Sequence, residues 1–301
     1  MDDSLKQYID SEWLIKHGIH QFSQKAMATV FDVFIHHHDG AYASQAATDA
    51  FSQLDLLEQD LSRFVENSDI SRINHLRPGE STIIGMDTME CLVIAQKIQT
   101  KTKGAFNPTI GKIITHWKDE IESEIDSKEN VGSLLLDAVT FTVTLMDNPI
   151  SIDLGGIGKG FALDKLMETL NEWDIETVLF NSGKSTFLAG DTPGDEHGWP
   201  LTITHPITQK EIERIYLTNN AMAGSGIEKG NHIISPSNYE PVQDRLAAWS
   251  LAKTGAEADA LSTSFMIMDE TDIQHFVKNN SDIRAIVIDE TGEMKKDGDW
   301  N

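Results

Sequence analysis

The chain has a single cysteine, Cys91, among its 301 residues, so no disulfide can form within it. Cys91 falls inside a helix-like stretch and reads as a buried structural thiol. Basic residues are scarce as well: 24 Lys and Arg stand against 48 Asp and Glu, a formal charge of −24 with a pI near 4.7. A surface of that sign repels nucleic acid and anionic membranes, which excludes both as general partners. No apolar run reaches the roughly 18 residues that suggest a membrane span. The opening "MDDSLKQYIDSEWLIK" has no basic n-region, apolar h-region or small-residue cleavage site. The chain therefore reads as soluble and cytoplasmic as given, or as the trimmed mature form of an exported protein. Repeats, low-complexity stretches and Pro- or Ser-rich linkers are missing, which favours one integrated domain over residues 1–301.

What is present alternates between helix and strand patterns. "TVFDVFIH" (29–36) has the alternation of a half-buried strand, and "HHHDGAY" reads as a turn. Three adjacent histidines, His36 to His38, cannot all face one ion, so they read as a solvated loop. From Ala47 the apolar residues Ala50, Phe51, Leu54, Leu57, Leu61, Phe64 and Val65 have helical spacing. A second helix is expected over 87–103 with Gly104 as its C-cap. The polar stretch 119–130 reads as a surface loop, and "AVTFTVTL" as one strand. "ETVLF", "LTITH", "ERIYL", "AAWSLAK" and "IRAIVID" are further short strands. Strands clustered with few helices between them imply an α+β fold with mixed or antiparallel sheets packed against helices.

Between the strand-like "SIDL" and a helix ending near Trp173 lie four glycines in six positions: Gly155, Gly156, Gly158 and Gly160, with Lys159 among them. The dinucleotide fingerprint fails here because Phe161 stands where its third glycine belongs. The P-loop pattern fails at Gly183-Lys184-Ser185, because Val178 stands where its first glycine belongs. Two readings of the run remain. Either a tight turn needs close packing, or bare backbone N–H groups approach a phosphate at a helix N-terminus. In "GAEADALSTSFMIMD" (255–269), Asp259 and Thr263 share one helix face. A carboxylate and a hydroxyl form a sparse oxygen set of the kind Mg²⁺ accepts, or else a helix-dipole residue and a backbone-bonded threonine. His232 precedes the Pro236 turn and has the chemistry of an acid, base or donor beside a phosphate. "AGSG" (223–226) offers a small-residue loop.

In order along the chain, "MATVFDV", "LSRFVENSDISRIN", "GAFNPTIG", "DLGGIGKGFALD", "NSGKSTFLAG", "AGSG", "HIISPSNYEPV" and "ADALSTS" resemble the ApbE family, the FAD:protein FMN transferases, over residues 27–268. The resemblance implies that FAD is the substrate and Mg²⁺ the metal, and that FMN passes to a Ser or Thr hydroxyl of an acceptor protein with release of AMP. It implies Asp259, Thr263 and the Gly158 carbonyl as metal ligands, and His232 and Asp259 as catalytic residues. It implies an FAD site of Met27, Ala105, Phe106, Asn107, Gly155, Gly156, Lys159, Asp164, Gly183, Lys184, Ser225 and His232, with Asp153 flanking the glycine run. Asn107, Lys184 and Ser235 depart from the family's usual aspartate, glycine and aspartate. An FAD-binding relative that stores FAD, or hydrolyses it to FMN and AMP, is the alternative these departures leave open.

Overall fold

The alternation in "TVFDVFIH" sends Phe31, Val33 and Ile35 to one side of a strand and Phe34 to the other. The computed structural model describes residues 8–119, 132–230 and 232–300, and in it both sides are buried. The strand is therefore not half-buried as its pattern predicts, because a second layer covers its other face. It is β2 (Thr29–His36), next to the edge strand β1 (Ile19–Ala26). The sheet continues through β6 (Val178–Ser182), β7 (Thr186–Ala189), β10 (Asn220–Gly226), β11 (Arg245–Ala252), β12 (Arg284–Asp289) and β13 (Met294–Asp297). All eight strands pair antiparallel with their neighbours.

One face of this sheet packs on α2 (Gly40–Leu61), α6 (Gly158–Glu172) and α7 (Gly255–Ile267), with Leu54, Phe161 and Phe265 against Phe31 and Val33. The other face packs on the hairpin of β8 (Trp199–Thr204) and β9 (Glu211–Leu217) and on α1 (Ser11–Lys16), with Trp199, Leu201 and Leu14 against Phe34 and Phe187. Removing each such large side chain from water stabilises the fold by roughly 1.5–3 kcal/mol. A three-stranded sheet of β3 (Ser81–Ile83), β5 (Thr142–Leu145) and β4 (Leu134–Asp137) lies outside the main one. The remaining helices are α3 (Asp69–Asn74), α4 (Met86–Lys101), α5 (Gly111–Lys118) and α8 (Glu270–Lys278). Helices and antiparallel sheets thus form one α+β domain. Among the described residues no helix is long and apolar enough to cross a membrane.

Several local expectations are corrected. Helix α2 starts at Gly40, not Ala47, because Asp39 caps it by accepting from Ala41 N and Tyr42 N. Phe64 and Val65 lie beyond its end at Leu61. "AVTFTVTL" is a turn followed by a strand: Asp137 accepts from Val139 N and Thr140 N, and Phe141 takes a positive φ of 52°. "AGSG" is the end of β10 and not a loop; its Gly224 lies under the Trp249 indole, which leaves no room for a Cβ. The stretch 119–130 lies, past Asp119, outside the described residues.

The crossing of α6 and α7 decides where the site falls. Gly160 in the first turn of α6 and Gly255 at the start of α7 touch backbone to backbone, and a Cβ on either would overlap the other's carbonyl. Gly158 is not constrained in this way; its added Cβ would meet only Leu154 Cβ, at 3.7 Å. Gly160→Ala should therefore cost about 1–3 kcal/mol by overpacking, whereas Gly158→Ala should stay within about 0.5 kcal/mol. Urea unfolding of the two variants checks this; equal losses would remove the crossing as the reason for Gly160.

Candidate functional site

The start of α7 is held by α6 itself. The Asp164 carboxylate accepts from Gly255 N at 2.6 Å and Ala256 N at 2.9 Å, and Thr254 Oγ1 accepts from Glu257 N. One turn on, the Asp259 carboxylate is buried, with 3% of its surface exposed, and points at the first turn of α6. It accepts from Gly160 N at 3.1 Å and Thr186 Oγ1 at 3.2 Å, and Lys159 Nζ lies 3.3 Å from both its oxygens. Another turn on, Thr263 Oγ1 is 3.2 Å from Ser225 Oγ, which also bonds Ser262 Oγ at 2.8 Å. Gly156 faces Thr263 and Phe106; a Cβ there would stand 3.2 Å from Thr263 Oγ1.

Of these groups Phe106, Gly156, Lys159, Ser225, Asp259 and Thr263 line a cavity of about 690 Å³, a size typical of sites that enclose a small-molecule ligand. Of the residues expected from sequence, it gathers Ala105, Phe106, Asn107, Gly155, Gly156, Lys159, Gly183, Lys184, Ser225, His232, Asp259 and Thr263. Met27, Gly158 and Asp164 are not in its lining. Met27 is in the β1–β2 turn, its N–H donating to Glu58 Oε1, and Asp164 is committed to capping α7. Ser235 pairs with Ser237 away from the cavity, although Pro236 reaches it. Asn107 uses its Oδ1 to accept from Thr109 N and Oγ1, a local turn bond that an aspartate would make equally well.

Most N–H groups of the glycine run are already used within the protein. Gly155 N donates to Asp153 Oδ1, Ile157 N and Gly158 N donate to Leu154 O, and Gly160 N donates to Asp259 Oδ2. The run therefore does not offer these four as a phosphate cradle, contrary to the phosphate reading of the sequence; what it supplies is space and close packing. Charge is supplied by side chains. The lining carries four basic residues, Arg63, Lys118, Lys159 and Lys184, against three acidic ones, Asp153, Glu228 and Asp259, which inverts the balance of the whole chain. Arg63 pairs with Asp153 at 3.1 Å. The sequence marks none of Arg63, Phe64, Lys118 and Trp249 as a site residue: Phe64 reads only as a helix position, although Arg63 and Phe64 fall in "LSRFVENSDISRIN" and Trp249 in "AAWSLAK".

Burial pushes the Asp164 carboxyl up to about 7, against the two backbone donors that favour its anion. Its value in the unfolded chain is about 3.9, so between about pH 4 and about pH 7 the native state holds a proton that the unfolded chain has lost. This group's contribution to stability is full below that window and is lost as pH rises through it. Asp164→Asn keeps an acceptor but cannot ionise. It should gain stability relative to the parent on going from about pH 5 to about pH 8. Urea unfolding at both values checks it, and an unchanged difference would contradict the shift.

Residues 27–287 match the ApbE family. The FAD:protein FMN transferase of Haemophilus influenzae is 25% identical over 265 residues, covering 78% of this chain and 76% of the relative. That of Vibrio cholerae is 24% identical over 271 residues, covering 82% and 81%. Among solved structures, the ApbE protein of Thermotoga maritima superposes with a TM-score of 0.82 at 22% identity, covering 93% of this chain and 97% of that one. The flavin transferase ApbE from Vibrio cholerae superposes with a TM-score of 0.81 at 22% identity, covering 92% and 96%. With 27–287 matched out of 301 residues and the same fold throughout, the chain belongs to the ApbE family.

Proposed function

We propose that the protein is a flavin transferase that takes FAD as donor and passes its FMN half to a Ser or Thr hydroxyl of an acceptor protein, with AMP leaving and Mg²⁺ as the metal. The observation that carries this reading is the buried Asp259 carboxylate. It lies one helical turn from Thr263 and beside the close-packed backbone of residues 155–160, in a cavity richer in cations than the rest of the surface. Family membership supports the reading, as do relatives named FAD:protein FMN transferase.

The donor set suits the metal. Asp259 and Thr263 present oxygen only, and the Lys159 ammonium lies against the Asp259 carboxylate at a place that calls for positive charge. Among the described residues, no group of three or more His, Cys, Asp or Glu is arranged to hold an ion, which is unlike a cage built wholly from protein. Mg²⁺ characteristically takes one or two protein oxygens and completes its shell with water and substrate phosphates. Asp259 and Thr263 would hold it, with the Gly158 carbonyl, outside the cavity lining, as the third ligand that the family resemblance implies, and there it would neutralise charge on the pyrophosphate and on departing AMP.

The chain's own residues do the rest. Lys159 adds a second positive charge beside Asp259, and Arg63, fixed by Asp153, adds a third at the cavity wall. His232 Nδ1 lies 2.8 Å from the Gly230 carbonyl, which can only accept, so Nδ1 carries the proton and a neutral ring has its lone pair on Nε2. That nitrogen is suited to take the proton of the acceptor hydroxyl as it attacks phosphorus. Ser225, Gly155, Gly156, Ala105, Phe106 and Asn107 shape the wall against which the flavin nucleotide is positioned.

Asp259→Asn should abolish transfer of FMN to an acceptor, a loss of about a hundredfold or more, by removing the charged oxygen ligand. Thr263→Val should fall less, since water can replace a neutral ligand. Mass spectrometry of acceptor incubated with FAD and Mg²⁺ reads both. Parent-rate transfer by the Asp259 variant would overturn the metal assignment, and FAD cleavage without acceptor labelling would favour the hydrolytic alternative.

A further inference from the structure

The turn joining β6 to β7 holds two adjacent residues in left-handed conformation, Gly183 at φ 59° and Lys184 at φ 60°. For glycine that conformation is free, but for a lysine it places Cβ against its own backbone and is uncommon. The strain cannot relax, because the turn is fixed from three sides. Lys184 N donates to Asn181 Oδ1 at 3.0 Å, and the buried Asn181 is itself anchored through Nδ2 to Asp32 Oδ2 at 3.0 Å. Gly183 N donates to Val30 O, and Ser185 N to Ser182 O. Among the described residues nine other non-glycine residues also take positive φ, so the conformation alone assigns no role; what the bonded turn does is fix where the Lys184 side chain starts.

Lys184 lines the cavity and is partly buried there. The other cations of the lining differ from it: Arg63 is neutralised by Asp153, Lys159 by Asp259, and Lys118 is exposed. Among the described residues, no carboxylate lies within ion-pair distance of the Lys184 ammonium. The backbone N–H groups of residues 155, 157, 158 and 160 are already engaged, so those four are not open to an anionic ligand in this cavity.

We infer that Lys184 is a ligand-binding residue for the phosphates of the nucleotide, a point charge held at the cavity wall by a hydrogen-bonded turn. The inference deepens the transferase reading and rests on it for the nature of the ligand. Lys184 binds and positions, and breaks no bond. A recognition site of this kind distinguishes ligands by the phosphate they carry and is blind to the isoalloxazine ring.

Two substitutions separate charge from strain. Lys184→Met keeps the length of the side chain and the backbone conformation but removes the charge. Lys184→Gly removes the side chain and the strain together. Titrations with FAD, inorganic pyrophosphate and riboflavin, at low and high salt, read the binding, and the melting temperature of the ligand-free protein reads the fold. For Lys184→Met the expected result is a roughly tenfold loss of FAD and pyrophosphate affinity at low salt, about the size of one charge-assisted hydrogen bond. That loss should shrink at high salt, with riboflavin affinity and melting temperature unchanged. Lys184→Gly should lose the same affinity yet melt about 2 °C higher. Parent affinity for pyrophosphate in Lys184→Met, or an equal loss for riboflavin, would overturn the inference, as would a lower melting temperature for Lys184→Gly. A parent protein that binds neither FAD nor pyrophosphate would overturn the transferase reading along with it.

Discussion

The backbone contact between Gly160 and Gly255 sets the position of nearly every group in the site. It lets the first turns of α6 and α7 meet without side chains between them, and Asp164 locks the pair by capping α7 from α6. With the origin of α7 fixed, the helical rise does the rest. Asp259 comes four residues after Gly255 and falls on the first turn of α6; Thr263 comes four residues later and falls between Gly156 and Ser225. A bulkier residue at either glycine would push α7 outward and carry the carboxylate away from Lys159 and Gly160 N. The sheet face under α7, with Thr186 of β7 and Ser225 of β10, supplies the other side of the same constellation.

The glycine run shows how one sequence feature divides into separate physical tasks. Gly160 is there for the helix crossing and Gly156 for room beside Thr263 and Phe106. At Gly155 a Cβ would crowd the Asp153 carboxylate that accepts from its N–H. Gly158 has room for a methyl group, so its place at the start of α6 is not a matter of packing. Asp164 repeats the lesson. It stands in the run's motif, yet its buried carboxylate is spent on helix geometry, which keeps it out of contact with the cavity.

Periodicity in the sequence was enough to reveal the α+β class, the helix after the glycine run and most of the central strands. It missed what depends on chain segments far away. The two-sided burial of β2 requires the β8–β9 hairpin and α1, whose residues are separated from it in sequence. The start of α2 was hidden in "HHHDGAY", where the polar look of the histidines outweighed the capping signal of Asp39. In the site, Asp259, Thr263 and Lys159 were visible because each lies in a motif with regular spacing. Arg63 and Trp249 were not, because nothing local marks a residue whose partner, Asp153 or Gly224, comes from another element.

An acidic surface and a cation-lined cavity are compatible because the ranges over which they act differ. At physiological ionic strength charges are screened over about 8 Å, so carboxylates scattered over the exterior act weakly inside a walled cavity. Lining residues act at contact distance and in lower dielectric, where a few cations outweigh many distant anions. Within that boundary the acids are already matched: Asp153 by Arg63 and Asp259 by Lys159. The lining cations not matched by a carboxylate are then Lys184 and the exposed Lys118. The closeness of packing that positions Asp259 thus also ties the N–H groups of residues 155, 157, 158 and 160 into the fold and leaves side chains to set the charge of the cavity.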